Sequence, residues 1–135
     1  MSFFLKIKIK GNPQSQPRHR HTVRGKVVRT YDPKSNDKKE LAKYITENYS
    51  FEKTDKPLLV VIQASFKIPS SVSKVQKRIM NGKYRPKKPD IDNIAKYYLD
   101  AMNDVVYFDD AQIIALNVVK TYSENPNVQI TLQSI

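Results

Sequence analysis

The chain has 135 residues, which is enough for one ordinary domain with a single core of sheet and helices. Its 24 Lys and Arg against 13 Asp and Glu give a net charge of +11, which favours binding to polyanions, nucleic acid above all. Cysteine is absent, which excludes disulfides, thiolate metal sites and a cysteine nucleophile. Lysines interrupt the first apolar residues and no later apolar run is long enough to span a bilayer, so we expect a cytoplasmic protein without membrane contact.

The first half of the chain alternates extended and helical patterns. Phe3, Leu5 and Ile7 recur with the period of two that is typical of a half-buried strand. Asp32-Pro33 introduces a run in which Leu41 and Ile45 recur at helical spacing. The predicted elements are a strand over residues 3–10, an exposed loop over 14–25, a short β-prone run over 26–31 and a helix over 34–49.

The second half begins with an apolar, β-branched run that predicts the central strand of a sheet. It also contains a helix whose apolar stripe we assign to Ile91, Ile94, Ala95, Tyr98, Leu99 and Met102. The predicted elements are strands over residues 58–68, 113–122 and 128–132, helices over 72–80 and 90–103, a basic loop over 83–89 and an extended run over 105–108. The pattern indicates a single α+β domain over residues 1–135, with a mixed sheet packed against helices.

Acidic side chains beside a lysine make residues 87–112 the strongest functional candidate. Asp90 and Asp92 flank the start of a predicted helix, where non-helical geometry allows both to face one point. Asp109-Asp110 lies on a turn or strand start that could face them. Lys96 follows Asp92 by one helical turn, close enough to meet a phosphate. Since phosphodiester hydrolysis with Mg²⁺ needs hard oxygen ligands, these carboxylates are candidates for a metal site.

The same acids also have purely structural interpretations. Asp90 after Pro89 fits an N-cap, and Asp92 fits a first-turn acid that pairs with Lys96 at i,i+4 spacing. Asp109-Asp110 between two β-prone runs fits an ordinary turn. Spacing alone leaves both interpretations open.

Two basic segments are candidate contacts for a nucleic-acid backbone. Residues 1–31 contain eight Lys and Arg and no acid, and a second basic group precedes the acidic cluster, with Tyr84 available to stack on a base or bond a sugar-phosphate. The His19 and His21 pair lacks nearby carboxylates or cysteines and is weak support for a metal site. The candidate DNA-binding residues are Arg18, Arg20, Arg24, Lys26, Lys83, Arg85, Lys87 and Lys88.

The run KPDIDNIAKYYLDAMNDVVYFDDAQI resembles the hallmark segment of the RusA family of Holliday-junction resolvases, which is common in phages and prophages. It has the Pro-Asp-x-Asp-Asn start, the lysine four residues after the second aspartate and the Asp-Asp-x-Gln-Ile ending, in order and without gaps. The segments GNPQSQPRHRH and RTYDPKSNDKKE also look like the basic loop of the family and the start of its first helix.

The resemblance implies a homodimeric endonuclease that binds four-way DNA junctions and makes paired, symmetric incisions with Mg²⁺ or Mn²⁺. The essential acids would then be Asp90, Asp92 and Asp110, with Asp109 as a further candidate ligand and Lys96 as the supporting cation. A dimer also matches the two-fold symmetry of a junction. The alternative from another class is a non-catalytic DNA- or RNA-binding module in which the acids only organise turns and caps.

Overall fold

A computed structural model describes residues 2–17, 20–24 and 27–135, and only the backbone of residues 20–24 and 27–30. The α+β class is confirmed, because the fold combines a mixed four-stranded sheet with three helices and a separate two-stranded hairpin. In chain order the elements are β1 (Phe4–Lys10), β2 (Arg20–Arg24), β3 (Val27–Tyr31), α1 (Ser35–Asn48), β4 (Leu58–Lys67), α2 (Lys74–Met80), α3 (Ile91–Met102), a 3₁₀ turn (Asp110–Gln112), β5 (Ile113–Ser123) and β6 (Asn127–Ser134).

The sheet has the strand order β1-β6-β4-β5. β4 runs antiparallel to β6 and parallel to β5, and β1 runs antiparallel to β6. The prediction that residues 58–68 form a central strand is confirmed, since β4 has a partner on each side and buries every second residue. β1 and β5 are therefore the two edge strands.

One hydrophobic core joins the sheet to α1 and α3. α1 contributes Leu41 and Ile45, which are the helical positions that the sequence predicts. α3 buries Tyr98 and Met102 against this core, and Tyr107 in the following turn is fully buried. The opposite face of α3 is therefore exposed, and it carries Asp92 and Lys96.

Three local predictions are wrong. The loop over residues 14–25 contains β2, which pairs with β3 in a two-stranded hairpin, because its short β-prone run finds backbone partners in the next segment. The extended run over residues 105–108 is a turn that begins with Asp104 at φ 60° and is held by burial of Val106 and Tyr107. Ile91 is 51% exposed while Tyr97 is buried, so the apolar stripe of α3 differs from the predicted one.

The other boundaries lie close to the predicted ones. α2 begins after Ser73, whose side chain caps it, and none of its residues is buried. α3 is flanked by Asp90 at its N-cap and Asn103 at its C-cap. In the described part of the chain, no helix combines the length and the apolar character needed to cross a membrane.

Candidate functional site

A groove opens at the first turn of α3. The segment after β1 crosses this turn and is tied to α3, because the backbone N–H of Gln16 donates to the carbonyl oxygen of Asn93 at 2.9 Å and that of Gln14 donates to the Tyr98 hydroxyl at 2.8 Å. The groove has a volume of about 600 Å³. Its lining residues are Ser15, Gln16, Pro17, Lys88, Pro89, Asp90, Asn93 and Lys96.

Asp90 occupies the N-cap position of α3 without acting as a cap through its side chain. Its backbone is extended, at φ −71° and ψ 152°, and its carboxylate makes no capping hydrogen bond. The carboxylate is exposed at the groove, and it forms no ion pair among the residues that the structure describes. The N-cap position of Asp90 is therefore confirmed, but its side chain does not cap the helix, and its carboxylate is available to a ligand.

Asp92 and Lys96 lie one turn apart on the exposed face of α3. The Asp92 carboxylate accepts a hydrogen bond only from the neighbouring N–H of Asn93, at 2.9 Å, within the described residues. No ion pair joins Asp92 to Lys96, although both side chains are described. The interpretation as an i,i+4 ion pair is therefore wrong, and the Lys96 ammonium group lines the groove instead.

Asp109 and Asp110 have different local roles. Asp109 caps the 3₁₀ turn, since its side chain accepts from the N–H of Ala111 at 3.0 Å and Gln112 completes a capping box. This confirms the turn interpretation for Asp109, and the backbone hydrogen bond lowers the pKa of its carboxyl. The pKa of Asp110 is raised, mainly by its side-chain hydrogen bond with Asp109 and then by burial and nearby negative charge. Asp110 is therefore the more readily protonated of the two carboxyl groups.

The four predicted acids do not meet at one point in a single chain. Asp90 and Asp92 stand at the first turn of α3, whereas Asp110 lines a separate hollow of about 270 Å³ beside Leu99 and the start of β5. Leu99 lies roughly 10 Å further along the helix than Asp92, at a rise of about 1.5 Å per residue. Within residues 2–17, 20–24 and 27–135, no group of three His, Asp or Glu side chains is placed to hold a metal ion. The three-carboxylate site remains a prediction.

The basic loop before Asp90 is fixed by two cations. The Lys120 ammonium group on β5 donates to the carbonyl oxygens of Lys87 at 2.6 Å and Pro89 at 2.9 Å. Arg85 donates to the carbonyl oxygen of Lys88 at 2.6 Å and lies 4.3 Å from the centre of the Phe66 ring. These two residues hold the loop in place, so that Asp90 starts α3 from a defined position.

The remaining DNA-binding candidates lie in two places. Lys83, Lys87 and Lys88 are exposed along the loop, next to a Tyr84 side chain that is 79% exposed. Arg20 and Arg24 are the first and last residues of β2, with only their backbone described. The two other candidates, Arg18 and Lys26, lie outside the described residues.

Sequence reasoning missed three residues that build the groove. Gln16 and Asn93 line it, and Lys120 anchors the loop that leads into it. Asn93 follows the predicted acids directly, so that the Asp-x-Asp-Asn spacing could have indicated it. Gln16 and Lys120 reach the site through contacts that are distant in the chain, and no local pattern marks them.

Comparison with known proteins agrees with the resemblance in the sequence. The family model described as "Endodeoxyribonuclease RusA" matches residues 10–133, which is nearly the whole chain. The chain belongs to the RusA family. RusA proteins are endodeoxyribonucleases, so this membership supports a nuclease that acts on DNA. The chain is also 32% identical over 137 residues to the uncharacterized protein YqaN of Bacillus subtilis (strain 168), covering 97% of this chain and 96% of YqaN.

Proposed function

We propose that this RusA protein is a Mg²⁺- or Mn²⁺-dependent, structure-selective endonuclease that resolves four-way DNA junctions by paired symmetric incisions. One observation carries the proposal. The carboxylates of Asp90 and Asp92 stand in a strongly basic protein, yet neither serves as a side-chain cap nor forms an ion pair within the described residues. Carboxylates without a structural role, next to a groove with Lys88 and Lys96, suit a metal ion and a phosphate.

The donor set supports a hard divalent ion. Asp90 and Asp92 offer carboxylate oxygens, the ligands that Mg²⁺ and Mn²⁺ prefer, whereas Asp110 lies apart from them within one chain and would join the set only through a second copy. A bound ion would supply positive charge that polarises the phosphodiester and acidifies the attacking water. Lys96 stabilises the charge that builds up on the phosphate while the water oxygen bonds to phosphorus and the bond to the sugar oxygen breaks. One water proton passes to a carboxylate, the hydroxyl oxygen stays on phosphorus, and the leaving sugar oxygen takes a proton from solvent.

We propose that two copies associate through the first half of β5. Ile114 and Leu116 on this edge strand are 62% and 43% exposed, and within the described residues no strand pairs with its outer side before Lys120. A two-fold contact between two such edges is self-complementary and covers apolar surface that would otherwise favour aggregation. Because Asp110 comes just before this edge, the contact would bring it near the second copy, which could complete the carboxylate set.

The substitution Asp92→Asn tests whether DNA cleavage can be lost while DNA binding is kept. The substitution keeps the size of the side chain and removes its charge, and Asp92 supports little local structure beyond one hydrogen bond from its neighbour. We expect the variant to bind a labelled four-way junction in native gels as tightly as the unmodified protein and to lose cleavage in Mg²⁺ or Mn²⁺. Glu124→Gln, which removes one negative charge in the turn before β6, is the matched control and should cut normally. Equal cleavage by Asp92→Asn would refute the site.

The alternative is a nucleic-acid-binding module without catalysis. It predicts that the unmodified protein binds branched DNA and cuts it in neither metal. In that case Asp90 and Lys96 would contribute only their charges to the groove. A cytoplasmic location, where the DNA substrate would be found, also remains a prediction of the sequence.

A further inference from the structure

The main sheet has one face that turns away from the helices. Along β1, β4 and β6, core residues alternate with exposed or half-buried ones, and the core set packs with α1 and α3. We call the other set the open face. It comprises the even-numbered residues 4–10 and the odd-numbered residues 59–67, 115–123 and 127–133, which the strand register places side by side. Since each of these residues is exposed or half-buried, the open face is accessible to a partner.

The open face carries positive charge and no negative charge. The strands β1, β4, β5 and β6 contain no Asp or Glu, although the chain has 13. Lys6, Lys8 and Lys10 lie exposed along the β1 edge of this face, and none of them forms an ion pair with a described residue. The strands beside β1 add mainly amide and hydroxyl side chains. The face can therefore attract an anion and donate hydrogen bonds to it.

The basic loop that precedes α3 joins the open face to the groove. Tyr84 pairs with Thr121 of β5 in an antiparallel bridge, so the two side chains lie on the same side of the sheet, and Tyr84 is 79% exposed. Arg85 points to the opposite side, where it lies 4.3 Å from the centre of the Phe66 ring. Lys88, further along the loop, lines the groove. A polyanion held in the groove can therefore continue past Tyr84 onto the open face.

The lysines of β1 also have a purely structural explanation. Charged side chains, lysine above all, keep an edge strand from pairing with another chain. That explanation concerns the edge alone and does not require one sign of charge across the whole face. It also gives no reason for an exposed tyrosine at the far side of the sheet. Edge protection and binding of a polyanion therefore predict different results when the sign of the charge is reversed.

The placement of the aromatic side chains favours a duplex over a single strand. Two exposed aromatic side chains lie at the open face, Phe4 and Tyr84. Tyr84 shares a row of paired residues with Lys10, and Lys10 lies at the opposite end of β1 from Phe4, roughly 20 Å away at about 3.3 Å per residue. Single-strand binders stack successive bases on aromatic rings. Rings so far apart offer no such platform, whereas lysines and neutral donors suit phosphates.

We propose that the open face is a second contact surface for the phosphate backbone of duplex DNA, an inference that rests on the proposed action on DNA but not on cleavage. Lys6, Lys8 and Lys10 attract the phosphates, and the Tyr84 hydroxyl donates to them where the duplex passes from the groove. The 10 residues of β4 span about 33 Å, which matches roughly ten base pairs. Such contacts add affinity and salt dependence without sequence preference.

The test compares two pairs of substitutions that remove the same charge. Lys8→Gln with Lys10→Gln changes the open face, and Lys39→Gln with Lys43→Gln changes exposed lysines of α1 on the other side of the sheet. Binding to a four-way junction with arms of about 20 base pairs is measured in chelator at several salt concentrations. Two lost phosphate contacts reduce the slope of log K against log salt by about 1.8.

The difference in slope gives a measurable change in affinity. Raising the salt from about 50 to about 200 mM should weaken the unmodified protein about ten-fold more than the open-face variant. The α1 variant should follow the unmodified protein. Equal slopes for the two variants would overturn the proposal, because both have the same net charge.

Charge reversal separates DNA contact from edge protection. Lys8→Glu with Lys10→Glu keeps the β1 edge charged, so the protein should stay free of aggregates. We expect junction binding at low salt to weaken by more than about ten-fold, and Lys39→Glu with Lys43→Glu to have a smaller effect. Equal weakening by the two pairs would show an effect of net charge alone and would overturn the proposal.

An NMR titration of the unmodified protein with a duplex of about ten base pairs needs no variant. The amide signals of Gln63 and Gln129, which share a row with Lys8, should shift. Shifts confined to the groove and its loop would overturn the proposal. DNA binding that depends on Lys8 and Lys10 without cleavage in either metal would support the open face and reject the nuclease function. Cleavage together with equal salt slopes would reject the open face alone.

Discussion

Asp90 is the residue at which the structural and the catalytic interpretations differ most in measurable terms. It occupies the N-cap of α3, but its side chain makes no capping bond. Replacing a capping Asp by Ala costs about 1 kcal/mol, whereas Asn retains an acceptor and costs little. Both replacements remove the same charge from the start of the helix, so the dipole contribution cancels between them. We therefore expect Asp90→Ala and Asp90→Asn to be equally stable, within about 0.3 kcal/mol.

Thermal unfolding at one fixed protein concentration measures this difference. For 135 residues, an unfolding entropy of roughly 2.1 cal/mol/K per residue converts 1 kcal/mol into about 3.5 °C. The two variants should then melt within about 1 °C of each other. Both should also lose cleavage of branched DNA by on the order of 100-fold or more, because a metal ligand contributes several kcal/mol to the transition state.

The opposite pattern would give Asp90 a structural role instead of a catalytic one. If Asp90→Ala melted about 3.5 °C below Asp90→Asn, the side chain would be a cap in solution. If both variants also cut DNA as well as the unmodified protein, Asp90 would have no part in metal binding.

Three further predictions follow from the acids and the free sheet edge. Asp109→Asn keeps the oxygen that caps the 3₁₀ turn and should retain most activity in the junction assay, whereas Asp110→Asn should abolish it; equal losses would make Asp109 a ligand. Asp32 has a pKa below its unfolded value of 3.8, so its stabilisation is complete above that pH and lost as the pH falls towards the folded value. In urea unfolding, Asp32→Asn should therefore be less stable at about pH 7, and the difference should begin to shrink only as the pH falls below 3.8; a constant difference at still lower pH would contradict this. Ile114→Lys should yield monomers in analytical ultracentrifugation while Phe4→Lys, on the opposite edge strand, should not; dimers in both would exclude β5 as the interface.

The sequence predicts those parts of the fold whose signals are local. β4 was predictable from its run of β-branched residues, and α3 from its apolar spacing and from Asp90 at its start. The hairpin of β2 and β3 was not predictable in full, because β2 is short and depends on backbone pairing with its neighbour. The turn after α3 was mistaken for extended chain, because burial of Tyr107 overrides its β propensity.

In the candidate site, too, the sequence predicts what is local and misses what depends on contacts between distant residues. The motif around Asp92 and Lys96 indicates which residue types are available, but it does not show that their ion pair is absent. The roles of Gln16 and Lys120 depend on contacts with Asn93 and Pro89 that only the folded chain creates. Asp110 lies apart from Asp90 and Asp92 because the length of α3 separates them. The number of residues between these acids in the sequence does not give their distance in the fold.

The proposed function requires cleavage that depends on both a metal ion and branched DNA. The most direct measurement incubates the purified protein with a labelled synthetic four-way junction and with a matched linear duplex, each in Mg²⁺, in Mn²⁺ and with a chelator. Denaturing gels then locate the cuts, and native gels report binding. We expect paired nicks at symmetric positions in the junction, which the chelator abolishes and the linear duplex lacks. Binding without cleavage in either metal, or equal cleavage of the linear duplex, would contradict it.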